Sequence, residues 1–269
     1  MSKNMTMLIL SCDKFSDLWD GHIKLLEQNW SDRYMETYIV TDAFTDKSYE
    51  NVKIISAGTD AEWSYRLAFA LQFVKTEYVF ITLDDYFLIQ KVSDYSISEL
   101  TGMMKRESID YVRLFKRPKR ATREEIPGYR GINRIDTACN YSVNLYSGIW
   151  KKDFIEFCVK KPLNAWKFEV SLYKRAIEYG AKCVVSLRNE FVILDVVRKG
   201  KLLHKSARYF KKHPGIYTGD REINSWNYEI RLFIKTWVSR HFPLFVLKAL
   251  RRIISKLGYR SFIASENDL

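Results

Sequence analysis

The chain lacks most of the devices that would assign it quickly. Its four cysteines and four histidines are scattered over 269 residues, and none stands at metal-ligand spacing from another. A zinc site is excluded on that ground. Cys12, Cys139, Cys158 and Cys183 read as reduced, cytosolic thiols, since their spacing gives no disulfide framework. No glycine follows the first predicted strand, where the residues are Ser11-Cys12-Asp13-Lys14. That excludes both a Gly-x-Gly-x-x-Gly turn and a Walker loop. No apolar run approaches the length of a membrane span, and Met5–Leu10 is too short for the core of a signal peptide, so neither a transmembrane helix nor a leader is expected. Internal repeats and low-complexity tracts are absent as well.

Forty-seven per cent of the residues are hydrophobic, enough to bury one core of ordinary size with appendages. The net charge of +12 is segregated. Residues 1–197 hold 28 Lys and Arg against 27 Asp and Glu, whereas residues 198–260 hold 16 against 3. Within that basic arm, Leu247, Leu250, Ile254 and Leu257 fall on one helical face, and Lys248, Arg252 and Lys256 on another. This is the pattern of a helix lying in an anionic membrane interface, and equally of a basic helix packed on the rest of the protein. No nucleic-acid recognition module accompanies the arm, so nucleic acid is not expected as a partner. A second basic stretch, residues 116–123, opens a long Pro- and Gly-containing loop between strands expected near Tyr111–Phe115 and Tyr141–Tyr146.

The first 90 residues read as alternating strands and helices. Strands are expected at Met5–Leu10, Thr37–Thr41, Val52–Ser56 and Tyr78–Leu83. Helices are expected over Leu18–Trp30 and, after Asp60, along the stripe Trp63, Leu67, Ala70, Leu71 and Val74. This order predicts an α/β fold with a mostly parallel central sheet, whose ligands bind at the carboxyl ends of the strands. The strand Tyr78–Leu83 ends in Asp84-Asp85. Two adjacent charges at a buried strand end are expensive to desolvate unless they are solvated, paired or bound to a cation. A turn cap is the plain alternative. Hard carboxylate oxygens suit magnesium or manganese.

Three stretches together resemble the GT-A family of nucleotide-sugar-dependent glycosyltransferases, particularly those that build bacterial surface polysaccharides. They are Met7–Asp13; Trp63-Ser64-Tyr65-Arg66-Leu67 with Leu83–Leu88; and Tyr146–Lys151 followed by Asn164–Glu169. The resemblance spans roughly residues 5–200 and departs from the family in one place, because the usual Asp-x-Asp is here Asp84-Asp85-Tyr86. It implies a catalytic domain over 1–200, with a nucleotide-sugar half near 1–90 and an acceptor half near 91–200, followed by a basic helical extension over 201–269. It further implies a nucleotide-diphosphate sugar donor, UDP-linked by preference, and a glycan or lipid-linked acceptor. Donor contacts would fall to Ser11, Asp13, Asp42, Asp60, Trp63, Arg66, Asp84 and Asp85. Asp85 is the first metal ligand, with Asp84 and His204 as further candidates, and a surface histidine is the plain alternative for His204. Inverting transfer needs a general base, for which Glu169 is the first candidate and Asp153 the reserve. Glu169 is also where the helix dipole favours an acid, and Asp153 is also placed to cap a helix. The expected location is the cytoplasm, peripheral on the inner membrane face through residues 243–260. The alternatives are a nucleotidyltransferase that makes the sugar nucleotide, and a non-catalytic membrane-associated binder of sugar or nucleotide.

Overall fold

The computed structural model describes residues 4–59 and 61–241. Asp60 and the arm 243–260 lie outside the described residues. The elements in chain order are β1 (Met5–Leu10), α1 (Trp19–Asn29), β2 (Glu36–Thr41), β3 (Lys53–Ser56), α2 (Trp63–Leu71), β4 (Tyr78–Leu83) and β5 (Tyr86–Leu88). Next come α3 (Asp94–Glu107), β6 (Tyr111–Arg113), β7 (Thr122–Glu125), β8 (Ile132–Ile135), β9 (Gly148–Lys151), α4 (Lys152–Cys158) and α5 (Ala165–Tyr179). The last are β10 (Cys183–Ser186), β11 (Ile193–Asp195), β12 (Val197–Arg198), β13 (Lys201–Leu202), α6 (His204–Lys212) and α7 (Trp226–His241). They form two compact units. Among the described residues, the first runs to Asp195 and includes Pro214–Gly219; the second holds Val196–His213 and 220–241. Among the described residues no helix is long and apolar enough to cross a membrane.

A nine-stranded sheet ordered β3-β2-β1-β4-β9-β6-β10-β8-β7 organises the first unit. Its β3-β2-β1-β4 half is parallel, β9 enters antiparallel between β4 and β6, and β10 lies parallel to β6. Alternation along the buried strands feeds two cores. Met5, Met7 and Ile9 face Trp19, Ile23 and the buried residues of α3. Leu8 and Leu10 face Leu67, Leu71, Phe154 and Leu172. The result is helices on both faces of one sheet, as the strand and helix order predicts.

Two local expectations differ from the structure. The long loop after β6 contains the antiparallel pair β7–β8, and Tyr141–Tyr146 is irregular, with the next strand beginning at Gly148. The missed signal is Pro127-Gly128: Gly128 has φ +83° and Tyr129 N–H donates to the Ile126 carbonyl at 3.0 Å, so the chain reverses there. In α5 the residues Trp166, Val170, Tyr173 and Ile177 form one apolar stripe at helical spacing. The buried residues are Phe168, Ser171, Leu172, Tyr173 and Ala176, while Trp166 and Ile177 are about half exposed. Both stripes are helical in period, and the one that packs Phe168 against Trp63 wins.

Pro214–Gly219 crosses back over α1. Lys24 Nζ donates to the Gly215 carbonyl at 3.2 Å and Tyr217 Oη to Asp17 at 2.9 Å. A Cβ on Gly21 would lie 1.9 Å from the Ile216 carbonyl oxygen and 3.0 Å from the Phe87 ring. Backbone cannot step aside as a flexible side chain can, so Gly21→Ala is expected to destabilise the fold by about 1–3 kcal/mol. A denaturant midpoint unchanged from wild type would show that this crossing is loose.

Candidate functional site

The carboxyl ends of β1, β2 and β4 converge on one hydrogen-bonded cluster. The turn Asp84-Asp85 separates β4 from β5, and Asp84, 7% exposed, is tied back to β1. Its backbone N–H donates to the Leu10 carbonyl at 3.3 Å, and its carboxylate accepts the Ser11 hydroxyl. Ser11 Oγ in turn accepts the indole N–H of Trp19 at 2.7 Å. The Asp84 carbonyl accepts the Nδ1–H of buried His22 at 3.1 Å, whose ring meets Phe87 edge-on at 5.6 Å. Trp19 and His22, three apart on α1, therefore orient the aspartate turn. Sequence reading passed over both. The available signal was a polar residue on the buried face of the first helix, one turn from a tryptophan.

Burial pushes the His22 imidazolium down, to a pKa of about 4, so the ring is neutral in the folded protein. The unfolded chain takes up that proton first. Stability is therefore whole above pH 6.5 and falls as pH drops from 6.5 toward 4, by about 3 kcal/mol at most. Denaturation across that range should show a steeper acid loss for wild type than for His22→Gln; equal slopes would remove His22 from the acid response.

The β2 end supplies a second knot. Asp42 Oδ1 accepts the Asp13 N–H at 2.7 Å, and Oδ2 lies 3.5 Å from Arg66 Nη1, which also donates to the Ala61 carbonyl at 2.8 Å. The Cys12 thiol is pushed up by burial first and then by the charges of Asp84 and Asp42. It is a poor nucleophile there. Ser11, Asp13, Asp42, Arg66, Asp84 and Asp85 are thus gathered at one end of the sheet. Trp63, 8% exposed and one turn before Arg66, packs its ring on Phe168 at 5.3 Å, joining α2 to α5 within the core.

Across β4 the segment 144–147 closes the cluster. Thr82 and Ser147 hydroxyls are 2.8 Å apart, and Tyr86 stacks on Tyr146 with ring centroids 5.4 Å apart. Phe115 covers Tyr146 at 3.9 Å, so three aromatic rings pile up beside the aspartates. Glu169 Oε1 accepts the Leu145 N–H at 3.2 Å, which docks the second turn of α5 on the same segment. Asp153 is elsewhere. It follows Lys151, which pairs with Tyr78 at the start of β4, so the length of that strand separates it from Asp84. It is exposed, and its carboxylate lies 3.8 Å from Lys151 Nζ.

In the second unit His204 Nδ1 lies 2.9 Å from Glu229 Oε1, and its ring stacks on Trp226 at 3.7 Å. Among the described residues no group of three or more His, Cys, Asp or Glu side chains could form a metal cage. The aspartate turn is suited to a different arrangement. One or two carboxylates can hold a magnesium- or manganese-type ion whose remaining ligands are substrate phosphate oxygens and water. Asp84 and Asp85, at adjacent positions of that turn, are the residues that could supply such carboxylates.

No family model and no curated protein sequence matches the chain. Among solved structures, GalNAc-T7 with UDP, GalNAc and Mn2+ aligns with a TM-score of 0.53 at 9% identity, covering 74% of this chain and 45% of that one. The mannosyltransferase PcManGT from Pyrobaculum calidifontis, in complex with GDP-Man and Mn2+, aligns with a TM-score of 0.50 at 14% identity, covering 73% and 58%. The fold is GT-A-like. The chain spans roughly half the length of these two proteins. A UDP-glucose pyrophosphorylase aligns over 78% of this chain with a TM-score of 0.48, too weak a likeness to weigh between chemistries.

Proposed function

We propose that this chain is a nucleotide-sugar-dependent glycosyltransferase that extends a bacterial surface glycan. The observation that carries this reading is the Asp84-Asp85 turn, fixed by Ser11, Trp19 and His22 at the carboxyl end of β4 beside the ends of β1 and β2. The carboxyl ends of the strands are where open α/β sheets take their ligands. In this reading Ser11, Asp13 and Asp42 receive the nucleoside, Arg66 faces the diphosphate, and Asp84 orients ribose or sugar. Asp85 would hold a divalent cation. The cation, when bound, offsets the charge that grows on the departing nucleoside diphosphate. Glu169 takes the proton from the acceptor hydroxyl as it attacks the sugar carbon, with inversion. The stacked Phe115, Tyr146 and Tyr86 offer an apolar flank beside the reacting sugar.

Thermal-shift titration with UDP, GDP, dTDP and CDP, with and without Mn2+, tests the donor assignment, and one nucleotide should stabilise the protein in a metal-dependent way. Product analysis then separates the chemistries. Slow release of nucleoside diphosphate from the donor supports a transferase, pyrophosphate release a nucleotidyltransferase, and no turnover a binding protein.

The proposed location is peripheral, on an anionic membrane face, through the basic residues of 243–260. Each cation near such a surface contributes about 1 kcal/mol and is screened by salt. Binding to liposomes should therefore require acidic lipid, weaken in high salt and disappear on removal of residues 243–269. Undiminished binding by the shortened protein would assign the membrane role to another surface.

A further inference from the structure

The segment that leaves β6 toward the β7–β8 hairpin carries Lys116, Arg117, Lys119 and Arg120 within five residues. Arg117, Lys119 and Arg120 are exposed and Lys116 is half-buried. Nearby, Arg123 pairs with Asp136 and Arg134 with Glu124, but among the described residues none of the four has a carboxylate partner. Exposed chain ends and loops often carry such charges to no purpose. This segment differs because it is fastened from beneath. Arg113, 0% exposed, donates from Nε to the Phe115 carbonyl at 2.8 Å, from Nη1 to the Ser142 carbonyl at 2.6 Å and from Nη2 to the Pro118 carbonyl at 3.4 Å. Asn144 Nδ2 reaches the Arg117 carbonyl at 3.5 Å.

Arg113 itself has no carboxylate partner among the described residues. Its charge is met by carbonyl dipoles alone, an arrangement far more expensive than an apolar side chain of the same volume. The outcome is a fastened loop with four positive charges above a fifth, the Arg113 of β6, and no carboxylate paired with any of them among the described residues. Low-dielectric protein beneath them focuses their field outward and favours an anion. The loop also has an address. It begins at Phe115, whose ring stacks on Tyr146, and Tyr146 belongs to the segment that holds Glu169 and faces Tyr86. The charges thus stand on the Glu169 side of the aspartate turn, away from the β1 and β2 ends.

We propose that Lys116–Arg120 is the phosphate-binding arm of the acceptor site, and hence that the acceptor carries a phosphate ester close to the hydroxyl that is glycosylated. This rests on the acceptor side being where the reading above puts it. The same chemistry is offered by a lipid phosphate and by a phosphate within a soluble glycan. Arg113 is a positioning residue, holding the arm's backbone while the four flanking cations make the contact.

The test is equilibrium titration of the full chain with geranyl phosphate and with glycerol 3-phosphate, using geraniol and glycerol as neutral controls, alongside a separate titration with nucleoside diphosphate and Mn2+. The triple variant Lys116→Gln, Lys119→Gln, Arg120→Gln replaces two exposed side chains and the half-buried Lys116, none with a carboxylate partner among the described residues, and should leave the fold intact. Binding of the phosphate ester should weaken by at least about tenfold in the variant and lose most of its salt dependence, with nucleotide affinity unchanged. Preference for geranyl phosphate assigns the arm to a lipid-linked acceptor, and equal affinity for the two esters assigns it to a phosphate-bearing glycan. Absence of phosphate-specific binding in wild type, or equal binding by wild type and variant, overturns the proposal. Failure of the donor reading shows separately, as absence of nucleotide binding in the wild-type protein.

Discussion

Replacing Asp85 by asparagine is expected to lower sugar transfer and donor hydrolysis by about 100- to 1,000-fold, while the unfolding midpoint moves by no more than about 1 kcal/mol. The expectation follows from how the two aspartates are held. Asp84 is bound into the fold: its carboxylate takes the Ser11 hydroxyl, and its backbone joins β1 through Leu10 and α1 through His22. Asp84→Asn would disturb both folding and chemistry, and would separate them poorly. Asp85 is half-buried at the next position, where an amide of the same shape removes the charge that a cation needs. Nucleotide binding in the presence of Mn2+ should weaken together with transfer. Full activity of Asp85→Asn, or of wild type in excess chelator, would eliminate the metal from the proposed mechanism.

The parts of this arrangement that could be read from sequence are those set by local period and strand polarity. Met5–Leu10, Tyr78–Leu83 and the helix starting at Trp63 are long enough, and apolar enough in the right rhythm, to be recognised in isolation, and their polar ends mark the sheet edge where Ser11, Asp42 and Asp84 meet. What was not legible depends on pairing at a distance. Nothing in residues 122–135 announces that two short strands add to the far edge of the sheet, because β8 pairs with β10, nearly fifty residues later, and β7 pairs only with β8. The packing of Phe168 on Trp63, about a hundred residues apart in the chain, is of the same kind. Asp153 fails as a partner for the aspartate turn because β9 runs antiparallel to β4, which carries the residues after it to the opposite end of that strand. Strand direction is a property of the sheet, and no residue near Asp153 encodes it.

Glu169→Gln is the second large effect. The carboxylate stands in the second turn of α5, behind a helix start that Asn164 caps by accepting the Lys167 N–H at 2.9 Å. One oxygen accepts the Leu145 N–H, and the amide oxygen of glutamine can accept it in the same way. The segment 144–147, the Tyr146 stack and the Thr82–Ser147 contact should therefore survive the substitution. The ability to take a proton is lost, so transfer should fall by about 100- to 10,000-fold while the affinity for nucleotide and the melting temperature stay near wild type. A general base acts on the acceptor and not on the donor, so the loss should appear in kcat and should diminish as pH rises and the acceptor hydroxyl needs less help. A purely structural role predicts the opposite combination, a lowered melting temperature with parallel losses in nucleotide binding and transfer. Unchanged transfer with an intact fold would remove Glu169 from the chemistry. The hydroxyl proton would then pass to solvent or to another carboxylate, and the Leu145 contact would be read as a simple dock for α5.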